Sequence, residues 1–246
     1  MLSAGRTGTV ALAKRLGELL PSAVVVHEPP PARLELLIGN LRNDTGLGAD
    51  LARRLFLRTR RRRLKRLPAG SGYVEINPLL CPIIDLLPAL KVPFNVVHMV
   101  RQPATWAQSI TAFGASARYR TVIDFIPFAK PYPCPRPRGW NGMTETERAL
   151  WRWRVCNERI LALRSQCAAY ALVRYEDVFS NDAGRRAESF AQVLRLMPGN
   201  PASRTASIDL SERHNPAPNA KVAAVAPDTV RAVCGELAGQ FGYDLG

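Results

Sequence analysis

The stretch "SAGRTGTVALAKRLGELL", residues 3–20, decides how this chain is read. Gly5 and Gly8 permit a tight backbone turn, and the turn runs straight into a helix. Leu12, Leu16, Leu19 and Leu20 form one apolar stripe of that helix, Lys14, Arg15 and Glu18 lie off it, and Pro21 stops it. In a strand–loop–helix unit of this kind the loop amides and the helix N-terminus point at one spot, which makes an anion site. Arg6 adds a fixed cation and Thr9 a hydroxyl. The lysine of a nucleoside-triphosphate loop, G-x-x-x-x-G-K-[ST], is absent, which disfavours a Mg-dependent triphosphate site.

Outward from the loop, "AVVVHEP" (23–29) reads as a buried strand followed by a loop, and residues 32–66 as helical. "YVEI" (73–76) is a short strand, and "PLLCPIIDLLPAL" a helix interrupted by Pro82 and Pro88. "FNVVHMV" (94–100) is a strong buried strand that discharges into Arg101 and a helix from about Ala104 to Phe113. Thr144 followed by Glu147 is a capping box opening a helix that runs to about Gln166. "AYALVRY" is another strand, followed by a helix over 183–197 and a last one ending near "FGYDLG". Strands alternating with helices predict an α/β fold with a parallel, doubly wound sheet. Only Met1 to Ala4 precede the loop, so the first strand is expected to be short and weak.

At 246 residues and 47% hydrophobic composition the chain fits a single domain, 1–246, with an ample core. A net charge of +14 points to an anionic partner: nucleotide, acidic substrate, nucleic acid or membrane surface. Five dispersed cysteines without metal spacing read as reduced thiols, so a cytoplasmic location is expected. No apolar run reaches the ~18 residues of a membrane span, and no signal segment is expected. "AKPYPCPRPRGW" is too rich in proline for regular structure, which marks residues 114–142 as a loop or lid beside the acceptor.

Two further segments qualify the loop. "VVHMVRQPATWAQSI" places Arg101 at the carboxyl end of a strand and Ser109 in the helix that follows, where a second anion sits in an open α/β sheet. "LVRYEDV" again ends a strand with charged residues. In combination the chain resembles the sulfotransferases that use 3′-phosphoadenosine 5′-phosphosulfate, closer to bacterial and Golgi-type than to cytosolic members. "GRTGT" resembles that family's 5′-phosphosulfate loop and "VRQPATWAQS" its 3′-phosphate motif, while "VRYEDV", "CGELAGQFGYD" and "ALWRWRVCN" are similar to further landmarks, all in family order. The resemblance implies a P-loop-like, three-layer fold whose parallel sheet is flanked by helices. It implies a donor held by Gly5, Arg6, Thr7, Gly8, Thr9, Val10, Arg101 and Ser109, and metal-independent, in-line sulfuryl transfer to a hydroxyl or amine. The acceptor is expected to be a small molecule, carbohydrate or lipid, with an acidic one suited to the charge. The chain departs from the family at Val10, where many members carry a hydroxyl, and in lacking the "RKG" stretch, for which Lys221 or Arg213 is the nearest substitute. Competing readings are a degenerate nucleotide-binding member of the same fold and, third, a basic nucleic-acid-binding protein.

For the base, "VVVHEPP" supplies Glu28 and His27 on the strand expected to flank the first one. Relatives that sulfate glycans and tyrosine place a glutamate at a similar remove from the loop, which favours Glu28, with His27 as its rival. Adjacent strand residues face opposite ways, so both cannot face the crevice if the strand extends through them. His98 is expected to be a satisfied core histidine, and Trp106, Trp151 and Trp153 packing residues. Glu176 and Asp177 are expected to anchor the fold, and Glu75 and Asn77 either to orient substrate or to close a local turn. The run Arg60–Lys65 is either a solvated helix face or a dock for an acidic acceptor.

Overall fold

The computed structural model describes residues 1–112, 136–199 and 224–245. Helix α1 (Thr9–Leu19) follows the opening loop, with Leu12 and Leu16 buried. Valine-rich β1 (Ala23–His27) follows, then α2 (Ala32–Thr45) and α3 (Ala49–Lys65), joined through Gly46 and Gly48, both left-handed. Strand β2 (Gly72–Ile76) leads into Pro78–Leu90, which is a 3-10 helix because Pro82 and Pro88 remove the amides an α-helix needs. Strand β3 (Asn95–Val100) and α4 (Pro103–Ala112) come next.

Thr144 opens α5 (Glu145–Leu161) with a reciprocal capping box: its hydroxyl accepts from the Glu147 amide, and the Glu147 carboxylate accepts from the Thr144 amide. The helix ends at Leu161, five residues before the expected Gln166, and residues 162–166 form turns instead. Strand β4 (Ala169–Arg174), a helical turn Tyr175–Val178, α6 (Ala183–Arg195) and α7 (Pro227–Gln240) complete the described chain. The expected lid falls outside the described residues as far as residue 135, as do Arg213 and Lys221.

The strands form two parallel pairs, β1 with β2 and β3 with β4. Residues at the amino end stitch the pairs together. The Met1 nitrogen donates to the Glu75 carbonyl at 2.6 Å and the Met1 carbonyl accepts from the Asn77 amide at 3.2 Å. On the other side the Leu2 amide donates to Val97 at 2.9 Å and the Leu2 carbonyl accepts from Met99 at 3.0 Å. The lateral order is therefore β1, β2, Met1–Ser3, β3, β4. This corrects the expected neighbour: β2, and not β1, flanks the amino-terminal segment. The Met1–Ser3 segment is bonded on both sides and buried.

Side chains alternate across these strands. Val97, Met99 and Val173 pack with Leu12 and Leu16 of α1 and Phe190 and Val193 of α6. Ala4 and Val100 pack with Trp106 of α4, Trp153 of α5 and Val230 and Leu237 of α7. Leu2 and Val96 pack with Phe56 of α3 and with Ile83 and Ile84. Helices thus hold both sides of the central segment and fix where the loop at its carboxyl end can sit.

Candidate anion-binding site

The opening loop is held in a conformation that ordinary residues avoid. Gly5, Arg6 and Gly8 all have positive φ (87°, 54° and 69°), a cost that a non-glycine residue such as Arg6 bears only when its surroundings enforce it. A Cβ on Gly8 would overlap the Phe179 ring, so glycine is required there twice over. Leu12 donates the first helical bond, to Gly8, and no side chain caps α1. The amides of Thr9, Val10 and Ala11 are therefore left for an external acceptor. Val10 is exposed (37%), and its backbone position suits that role without a hydroxyl.

Thr7 supplies an independent sign of a ligand. It is 1% exposed, and its Oγ1 has no hydrogen-bond partner among the described residues. Unsatisfied buried hydroxyls cost about 1–3 kcal/mol, so one in a loop that opens a helix N-terminus points to an oxygen-rich ligand.

The segment after β3 meets this loop. The Arg6 Nε donates to Ser109 Oγ at 3.2 Å, and the Arg101 guanidinium donates to the Arg6 carbonyl at 3.1 Å. Arg101 also lies 4.5 Å over the Tyr175 ring, and no carboxylate pairs with it among the described residues. Burial, and after it the neighbouring Arg101 charge, push the Arg6 guanidinium below its usual pKa, with Tyr175 opposing. Two cations that raise each other's energy are relieved by an anion between them.

Two indoles fix this geometry, and neither was foreseen in that role. Trp106 Nε1 donates to the Gly5 carbonyl at 2.6 Å, and Trp153 Nε1 donates to the Arg101 carbonyl at 2.8 Å. A buried tryptophan needs a partner for its N–H, and here both choose the backbone of the two anion-contact segments. Arg152 adds a third cation, its guanidinium 3.4 Å from the Ala4 carbonyl. Trp106 lies on the same helix as Ser109, so its part was hinted at in sequence; nothing in sequence ties Trp153 or Arg152 to a loop some 150 residues earlier.

The candidate bases separate clearly. His27 ends β1 and its Nε2 lies 3.1 Å from Thr9 Oγ1 at the start of α1. Glu28 lies beyond the strand with φ 42°, half-buried, and its carboxylate makes no hydrogen bond among the described residues. Because the strand stops at His27, face alternation does not set one residue against the other.

Glu75 and Asn77 are committed elsewhere. Asn77 accepts from the Leu79 amide to cap the 3-10 helix and donates to Glu75 at 2.9 Å. Glu75 pairs with Arg60 at 2.8 Å and with Arg63, and Arg60 also pairs with buried Glu35. Burial by itself raises the Glu75 carboxyl, but Arg60, Asn77, Tyr73 and Arg63 together hold it below its usual range. Arg60 is 3% exposed, so the basic run is not uniformly a solvated face.

His98 is fully buried between Tyr170 and Asn157, at 2.6 and 2.9 Å, as a satisfied core histidine. Glu176 accepts from the Gln102 amide and the Tyr243 hydroxyl, and Asp177 pairs with Arg174 and Arg185, so both brace the turn beneath Arg101. A cavity of about 620 Å³ opens at the amino ends of β2 and β3, lined by Tyr73, Val74, Asn95 and Val96, at the opposite end of the strands from the loop. Among the described residues no His, Cys, Asp and Glu side chains gather into a metal-binding group.

No protein family, curated protein or solved structure matches this chain.

Proposed function

We propose that the chain is a sulfotransferase that moves a sulfuryl group from 3′-phosphoadenosine 5′-phosphosulfate to a hydroxyl or amine of an acceptor, on a three-layer, P-loop-like fold. One observation carries the reading: two segments that resemble separate phosphate motifs, 103 residues apart, meet through the Arg6–Ser109 and Arg101–Arg6 hydrogen bonds. The buried Thr7 hydroxyl and the start of α1, both without a side-chain partner among the described residues, support an oxyanion at that junction.

In this reading Arg6, the Thr7 hydroxyl and the amides of Gly8 to Val10 hold the 5′-phosphosulfate, while Arg101 and Ser109 hold the 3′-phosphate. When bound there the donor supplies an activated sulfuryl group on a phosphate leaving group. The loop amides and Arg6 stabilise charge that builds on the leaving oxygen, a contribution of about 10² to 10³ in rate for one such donor. Glu28 takes the acceptor's proton: its carboxylate makes no hydrogen bond among the described residues, whereas His27 is engaged by Thr9 and Glu75 by arginines. His27 then positions Thr9 at the helix start.

The test is thermal unfolding with adenosine 3′,5′-bisphosphate, followed by transfer from the labelled donor to a panel of acceptors. A ligand at a hundredfold excess over Kd adds about 2.7 kcal/mol, an upward shift of roughly 5–10 °C for a chain of this size. Arg101→Ala should shrink that shift and spare the one given by adenosine 5′-phosphate. No shift in the wild type refutes the nucleotide site; a shift with no transfer to any acceptor refutes the enzyme and leaves a binding protein.

A further inference from the structure

Helix α3 is divided along its length. Ala52, Phe56 and Arg60 face the core, where Arg60 is neutralised by Glu35 and Glu75. The opposite side carries Arg54, Arg58, Arg61, Arg62 and Lys65, all exposed. At 100° per residue these five fall within one arc of about 100°. Among the described residues none of the five has an acidic partner, although such pairs form readily elsewhere, as between Arg154 and Glu158. Leu51 continues the same stripe and Leu47 stands one turn before it; they are 57% and 66% exposed, the most exposed large apolar side chains described. Asp50 is the acidic residue beside them, outnumbered by the cations.

Exposed leucines at the end of a cationic stripe are poorly explained by solvation. Water favours the arginines but not the leucines, whereas the boundary between headgroups and acyl chains of an anionic bilayer satisfies both. A nucleic-acid groove would use the charges and leave the leucines idle, and no aromatic side chain lies on the stripe to stack on bases. From Leu51 to Lys65 the stripe is about 21 Å long, enough to lie along a membrane surface. No helix among the described residues is long and apolar enough to cross one.

We propose that the outer face of α3 docks the protein on an anionic lipid surface, with Arg54, Arg58, Arg61, Arg62 and Lys65 against the headgroup phosphates and Leu47 and Leu51 entering the boundary layer. The inward face of α3 is already packed, so docking requires no unfolding. This inference does not depend on sulfuryl transfer.

The experiment is sedimentation of the full chain with vesicles of phosphatidylserine in phosphatidylcholine, with vesicles of phosphatidylcholine alone, and a parallel titration of duplex DNA. The wild type should bind the anionic vesicles, release them as salt rises, and ignore phosphatidylcholine. A basic residue at a membrane surface is worth about fivefold, so the triple variant Arg58→Gln, Arg61→Gln, Arg62→Gln should weaken vesicle binding about a hundredfold. Leu47→Ser with Leu51→Ser should weaken vesicle binding at least tenfold and leave any DNA retention unchanged. These residues are exposed, so every variant should keep the wild-type unfolding temperature. Absence of binding to anionic vesicles overturns the proposal. So does a leucine variant that binds vesicles as well as the wild type, which would reduce the stripe to a general polyanion surface.

Discussion

Replacing Thr7 by valine separates a ligand contact from a structural one, because the two roles predict opposite signs. Thr7 Oγ1 is buried and has no partner among the described residues, so it contributes a desolvation cost and no hydrogen bond. Valine has a similar shape and removes that cost. The ligand-free protein should therefore gain about 1 kcal/mol, the low end of the range for an unsatisfied buried group, which raises its unfolding temperature by roughly 2–4 °C. With the nucleotide bound the sign reverses. A hydrogen bond to a charged oxygen is worth about 1.5–3 kcal/mol, so the variant should bind adenosine 3′,5′-bisphosphate or the phosphosulfate donor roughly ten- to a hundredfold more weakly. Differential scanning of the two proteins, with and without ligand, reads both signs at once. A ligand-free variant less stable than the wild type would mean that the hydroxyl has a partner within the fold. Unchanged affinity would mean that Thr7 does not line the anion site, and the argument from its orphaned oxygen would collapse.

Two other expectations address the base and the core. Glu28→Gln should abolish transfer while leaving donor binding intact, and His27→Asn should lower it only modestly through Thr9; normal turnover in the first and none in the second would make His27 the base. Burial holds His98 at a pKa of about 4, against the raising effect of the bond its ring donates to Asn157 Oδ1. Its neutral form is the folded one, so its share of stability is complete above about pH 6.5 and declines as pH falls toward 4, a loss of about 2 kcal/mol by pH 5. Glu75, held below its usual range, loses its share only at lower pH, but the buried Met1 amino group, lowered to about 6, also titrates between pH 7 and 5, so the histidine's share is read as the difference between the wild type and His98→Gln. Urea midpoints that stay flat over that interval in the wild type, or that fall as steeply in His98→Gln, would contradict this assignment.

The parts of this protein legible in its sequence are those set by neighbours along the chain. The glycines at 5 and 8 permitted a tight turn, Thr144 and Glu147 set a capped helix, and the valine run of 94–100 a buried strand, because backbone sterics, capping and periodicity act over a few residues. The valine-rich β1, expected to be buried as well, is a strand with no fully buried residue, because burial depends on what packs against it. The meeting of Arg101 and Ser109 with the loop was anticipated by resemblance alone; no rule of spacing contains a contact across 103 residues. Strand order was misjudged for the same reason. Which strand pairs with Met1–Ser3 depends on where the crossover helices pack: α1 carries the chain past the neighbouring position to β1, and the helical stretch of residues 32–66 brings it back to place β2 there. The fates of the charged residues likewise belong to tertiary structure. Arg60 and Arg61 are adjacent in a uniformly basic run, yet one is buried between Glu35 and Glu75 and the other faces solvent. A helix turns 100° per residue, so sequence fixes which arginines share a face, but only packing decides which face turns inward.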